Sequence, residues 1–158
     1  MRVWARCGQT PIIAVDAGRD NTHFYGALNL MSGAETVLRS DLMNAEVSAL
    51  FLSQILLAYP DVPLILLWDR APWHRGASMR QILEANPRLQ ILWLPAACPE
   101  LNPQEHVWKA TREAVSHNHR HAKLPELAKA FETHLTTARF PCSLLKHHGY
   151  DLLCAMFI

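Results

Sequence analysis

No sign of charge dominates this 158-residue chain: 15 lysines and arginines face 14 aspartates and glutamates, a formal net charge of +1 at pH 7. A global basic field is therefore absent, and any nucleic-acid partner must be held by a local patch or a metal ion. The four cysteines (Cys7, Cys98, Cys142, Cys154) show no CxxC pair and no regular spacing. That argues against a zinc ribbon or a disulfide framework and fits reduced thiols in a cytoplasmic protein. No apolar run approaches the roughly 18 residues of a membrane span. The stretch Met1–Arg6 lacks the apolar core of a signal peptide. The apolar tail Leu152–Ile158 is also too short to cross a bilayer. No repeat, linker or low-complexity segment interrupts the chain. With 50% hydrophobic and 18% charged residues, the composition predicts one globular domain with a sizeable core.

The pattern along the chain is that of an α/β fold. Ile12–Val15 reads as a short buried strand closed by the turn-forming run Asp16-Ala17-Gly18-Arg19-Asp20-Asn21. His23–Leu30 and Glu35–Arg39 read as two further strands joined through Ser32-Gly33, completing a meander. Asn44 can cap the next helix, whose apolar stripe is Val47, Phe51, Ile55 and Ala58, and Pro60 ends it. The unbroken run Leu64–Trp68 reads as a strand buried on both faces of a mixed or parallel sheet. A helix over Ala77–Ala85, a strand over Leu89–Leu94, and helices over Pro103–Ser116 and Pro125–Arg139 follow. The last of these places Leu127, Phe131 and Leu135 on one face.

Two acids stand out against this background. Asp69 ends the apolar run Leu64–Trp68, and Glu105 follows 36 positions later in Leu101-Asn102-Pro103-Gln104-Glu105. Glu105 has a purely structural reading: Asn102 as N-cap, Pro103 at the first helical position, and Glu105 closing a capping box. Asp69 has one too, since an Asp after a strand often caps the next turn. A functional reading weighs against both. The segment Asp69-Arg70-Ala71-Pro72-Trp73-His74 is a polar loop at the carboxyl end of a strand, where open α/β sheets place ligands. Two carboxylates suit Mg²⁺ or Mn²⁺, and in a two-metal site one ion activates the attacking oxygen while the other stabilises the leaving one. A third acid is needed to hold both ions, and Asp16, at the end of Ile12–Val15, is the candidate. Arg70, His74 and Asn102 would support the site or contact DNA. Lys109 and Arg112 extend along the same helix side as Trp108, itself more often a packing residue. The alternating stretch His117-Asn118-His119-Arg120-His121 lacks the Cys or Glu pattern of a zinc site. With Lys109, Arg112 and Lys123 it reads as a solvated or phosphate-facing edge.

These blocks, taken together, resemble the catalytic domain of bacterial insertion-sequence transposases in the mariner-like branch of the DDE superfamily. The resemblance rests on Trp4-Ala5-Arg6-Cys7-Gly8-Gln9-Thr10-Pro11, on Phe24–Leu28 with Gly33, on Asp69–His74, on Leu94-Pro95 with Leu101–Trp108, and on Ser116-His117-Asn118. The blocks occur in family order over most of residues 4 to 135. What it implies is a ribonuclease H-like mixed β-sheet flanked by helices, occupying residues 1–140, with residues 141–158 as a C-terminal helix or tail. It also implies metal-dependent DNA strand cleavage and strand transfer, Asp69 as the second acid, Glu105 as the third, and a bacterial, nucleoid-associated setting. Transposon-end and target DNA would be the partners, with a homodimer or a complementing N-terminal chain.

Two departures qualify the resemblance. The family usually has Asn directly after the second acid, where this chain has Arg70, a permanent charge beside the metal site. The family's first acid lies on a strand ahead of the Trp4–Pro11 block, in conflict with Asp16 as first acid. In that register the chain is expected to lack the first strand and the DNA-binding helix-turn-helix region. A catalytically incomplete remnant, or one half of a split transposase, is the alternative function.

Overall fold

The computed structural model describes residues 21–117, 121 and 123–140. The expected strand Ile12–Val15, Asp16 and the tail 141–158 lie outside the described residues. Element order is β1 (His23–Leu28), β2 (Glu35–Ser40), α1 (Ala45–Ala58), β3 (Leu64–Trp68), α2 (Ala77–Ala85), β4 (Leu89–Trp93), α3 (Pro103–Thr111) and α4 (Leu124–Thr137). α3 continues as a π-helical turn over Arg112–Ser116, closed by His117 N–H donating to Arg112 O at 2.8 Å.

β1 and β2 form an antiparallel hairpin in which His23 pairs with Ser40 and Leu28 with Glu35. Asn29 builds the turn: its Oδ1 accepts from the N–H groups of Met31 and Ser32, both at 2.9 Å. Gly33 sits at φ +67°, and a Cβ there would lie 2.5 Å from Phe140 O, so both conformation and space require glycine. Alternation along β1 divides the core in two. Tyr25 and Ala27 face a cluster built on Phe51, Leu52, Ile55 and Leu56 of α1. Phe24 and Leu28 face a second cluster centred on Val107 of α3 and Leu135 of α4. The hairpin is thus the middle layer between α1 and the α3–α4 pair.

Asn44 caps α1 as the sequence suggests, its Oδ1 accepting from Val47 N–H at 2.9 Å. The buried side of α1 is wider than the predicted stripe: Ser48, Ala49, Leu52 and Leu56 join Phe51 and Ile55, while Ala58 is exposed. The reason is that α1 packs on the hairpin and also on α2. α2 is the crossover between β3 and β4, which pair in parallel from Leu64↔Leu89 to Trp68↔Trp93. Arg88 locks this unit to α1 by donating to the carbonyls of Leu56, Tyr59 and Val62 at 2.7–2.9 Å. These include carbonyls of the last turn of α1, which have no partner within the helix. Arg88→Met is expected to lower the unfolding free energy by about 2 kcal/mol. An unmoved urea midpoint would show that water replaces the guanidinium at no cost.

Two expectations are corrected. Rather than one continuous mixed sheet, the described residues form two two-stranded sheets, β1–β2 and β3–β4. β3 is also not buried on both faces: its residues are half-buried, and Ile65 is 48% exposed. An apolar run reports what a strand is made of, not how many neighbours cover it. β3 has one strand partner, and its other edge opens on a groove.

Candidate metal and nucleic-acid site

The groove runs between β1 and β3 and has a volume of about 290 Å³. Its walls are Phe24–Leu28 on one side and Ile65–Asp69 on the other. One end carries the polar groups: Asp69, His74, Asn102, Gln104 and Glu105. The fold therefore brings Asp69 and Glu105 to one cavity from segments 36 positions apart.

Asp69 is held in place from two directions. Its Oδ1 accepts from Ala71 N–H at 3.0 Å, the turn-capping role, and from His74 Nε2 at 3.3 Å. The His74 bond is the main reason the carboxyl sits below its ordinary value of 3.8, against the opposing effect of burial. Asp69 is consequently ionised at neutral pH while its side chain remains 47% exposed. His74 itself is buried, packed against Trp68 with ring centres 4.2 Å apart and against Trp73 at 5.9 Å. Its Nδ1 lies 3.5 Å from Ser48 Oγ, which donates to Asn44 O at 3.0 Å. Tyr25 OH in turn donates to Asn44 O and accepts from Asn44 N–H. A polar chain thus runs Tyr25–Asn44–Ser48–His74–Asp69, tying β1 to the loop after β3 through the start of α1. His74 acts by positioning Asp69 rather than by meeting DNA. In His74→Phe, which keeps the ring packing, the Asp69 carboxyl is expected to titrate nearer 3.8. Carboxyl-carbon NMR against pH measures this, and an unchanged titration would remove the positioning role.

Glu105 does not form the capping box. Asn102 is the N-cap, its Oδ1 accepting from Gln104 N–H at 3.1 Å, but its own N–H donates to Pro99 O at 3.0 Å. The donor that Glu105 would have satisfied is taken, and the side chain is exposed at the first turn of α3, facing the groove. Arg70 turns the other way, Nε donating to Leu94 O at 3.1 Å across the ends of β3 and β4. Its backbone grip accounts for an arginine there without a metal-site role. Lys109 and Arg112 are exposed on α3 and its extension, outside the groove lining. Trp108 stacks on Phe131 in the core at 6.5 Å. Residues 118–120 of the histidine-rich stretch, like Asp16, lie outside the described residues. Among the described residues, no three His, Cys, Asp or Glu side chains converge to hold a metal ion.

Sequence reasoning missed one pair. Glu35, buried at the start of β2, accepts from Gln104 Nε2 at 2.5 Å. Burial pushes its carboxyl from 4.5 up to about 8, only partly offset by the Gln104 bond. Glu35 Oε2 and Gln104 Oε1 are buried without partners, and a protonated carboxyl carries the donor that these oxygens lack. The pair passes over Gly26, where a Cβ would approach Glu35 Oε1, Gln104 Nε2 and Trp108 to 2.6 Å or less. It fixes the first turn of α3, one residue from Glu105. The glycine within β1 and the lone acid opening β2 were the available signals.

An α/β domain with two acids facing one groove invites comparison with metal-dependent enzymes of DNA, and two solved structures share its fold. They are the Mos1 transposase paired-end complex with the left transposon end (TM-score 0.62, 17% identity, covering 87% of this chain and 43% of that one) and the Mos1 mariner paired-end complex with Mn (TM-score 0.63, 16% identity, covering 96% and 47%). Residues 1–128 match the DDE superfamily endonucleases, and the chain belongs to that family. It is also 24% identical over 143 residues to an uncharacterized 39 kDa protein of insertion element IS630 from Shigella sonnei, covering 87% of this chain and 41% of the relative. The chain spans less than half the length of each of these relatives. No helix among the described residues is long and apolar enough to cross a membrane.

Proposed function

We propose that this chain forms the catalytic part of an insertion-sequence transposase that cuts and joins DNA with divalent metal ions. The supporting observation is that Asp69 and Glu105 line one groove, each freed from the purely structural role its sequence context offers. Asp69 is charged and oriented; Glu105 stands at a rigid helix start. Both present the hard oxygen donors that Mg²⁺ and Mn²⁺ prefer. They fit as two of the ligands, and Asp16, or an acid from outside residues 1–158, is the third. Bound ions would activate the attacking oxygen and stabilise the leaving one. Asp69 and Glu105 hold position, His74 and Asn102 orient them, and Lys109 and Arg112 meet phosphates beside the groove.

In this reading residues 1–140 are the catalytic region of a ribonuclease H-like fold without its first strand, and 141–158 are an appended tail. DNA ends and target are the substrates. A homodimer, or a complementing chain, brings the second DNA end. The setting is the bacterial cytoplasm beside the nucleoid. The test is nicking of supercoiled DNA by the chain in Mn²⁺, expected to vanish on chelation. Folded chain that binds DNA but does not nick it would favour the second reading, a remnant or half-enzyme. The lack of a third metal-binding side chain among the described residues supports that reading.

A further inference from the structure

We propose that the groove between β1 and β3 is an acceptor for one extended strand of a second polypeptide. This deepens the partner half of the proposed function, while the geometry behind it stands apart from the metal chemistry. β1 bonds only to β2, and β3 only to β4. Both walls of the groove are nonetheless made of consecutive residues, Phe24–Leu28 and Ile65–Asp69. Successive side chains of a strand point to opposite faces, so five consecutive positions line a space only when the strand presents its edge. The groove is therefore flanked by two rows of main-chain N–H and C=O groups that lack ladder partners among the described residues.

One kind of occupant satisfies both rows at once. A strand sits about 4.8 Å from each neighbour and offers donors and acceptors on both sides. A helix, a side chain or a nucleic-acid backbone satisfies at most a few of these groups. The residue types agree. Tyr25, Phe51, Leu66, Trp68 and Trp73 make most of the lining apolar, with polar groups gathered at the Asp69 end. The occupant is thus an uncharged, β-branched or aromatic segment, with a hydrogen-bond donor where it passes Asp69.

The edges themselves are built for covering. Exposed strand edges are normally blunted by Lys, Pro or a bulge. His23–Leu28 and Leu64–Trp68 contain neither Lys nor Pro, and both pair with their partners in unbroken register. The walls are also fixed before any strand arrives: the chain Tyr25–Asn44–Ser48–His74–Asp69 and the α1 core join them. A preformed slot reduces the ordering cost of binding.

The probe is an acetylated, amidated peptide alternating valine and isoleucine with threonine and ending in asparagine. It is titrated into the full chain without DNA or metal, so that the outcome does not depend on nicking. Amide hydrogen exchange is read residue by residue. The peptide is expected to slow exchange at Phe24–Leu28 and Ile65–Trp68 by at least about tenfold, the loss of about 1.4 kcal/mol of opening freedom. The same peptide N-methylated at alternate residues, which removes its donors but not its side chains, should give no protection. Equal protection by both peptides would overturn the proposal, because apolar burial alone would then be at work. Two further results would also overturn it. One is no protection by either peptide. The other is edges already protected in the chain alone, showing that residues 1–20 or a second copy fill the slot.

Discussion

At pH 9, Glu35→Gln is expected to unfold at a markedly higher denaturant concentration than the wild-type chain, whereas at pH 5 the two should unfold nearly together. The folded carboxyl titrates at about 8 against 4.5 when unfolded. The folded state therefore keeps a proton that the unfolded state releases. The stability tied to Glu35 is complete below pH 4.5, declines as pH rises, and is lost once pH passes about 8. The shift in full corresponds to about 5 kcal/mol, comparable with the whole stability of many small domains. Glutamine keeps the acceptor for Gln104 Nε2 and adds a permanent donor for Gln104 Oε1, so it imitates the protonated acid at every pH. Parallel denaturation curves at both pH values would show that Glu35 reaches solvent before it ionises. The effect also bears on the site, because the Glu35–Gln104 bond holds the turn that carries Glu105.

Replacing either groove acid by its amide should abolish most metal-dependent cleavage while leaving the fold intact. Asp69→Asn keeps an oxygen for Ala71 N–H, and Glu105→Gln lies exposed with no capping bond to lose. Neither variant should shift the melting temperature much. Each removes a negative donor where charge develops in the transition state, a loss on the order of 10²–10³-fold in rate. Mn²⁺ binding, followed by electron paramagnetic resonance, should weaken in step with nicking. Cleavage that survives in both variants would assign the activity to other residues, or to a contaminant. Loss in one variant alone would mean that the two acids do not share a metal site.

Much of the local structure is legible in the amino-acid order because its causes are local. Asn44 before an apolar periodic run, and Pro60 after it, mark α1; Asn102-Pro103 marks the start of α3; Leu64–Trp68 is too apolar and β-prone to be a loop. Asp69 and Glu105 are visible for the same reason, as acids at element ends. The misread features have distant causes. The stripe on α1 is widened by contact with two separate units. The burial of β3 depends on a neighbour on its open edge. Glu35 reads as an ordinary strand residue because its partner lies 69 positions away.

The sequence by itself determined which residues make helices and strands, the family, and the two acids worth testing, since propensity, capping and motif order are written along the chain. Only the tertiary structure decided what those acids do locally. Glu105 escapes its capping role because Pro99 takes the N–H of Asn102, and Asp69 stays ionised because His74 is pressed against it by two tryptophans. The strand-wide groove between β1 and β3 is likewise a tertiary fact: it is set by how α1 holds the two sheets, through contacts between residues far apart in the chain.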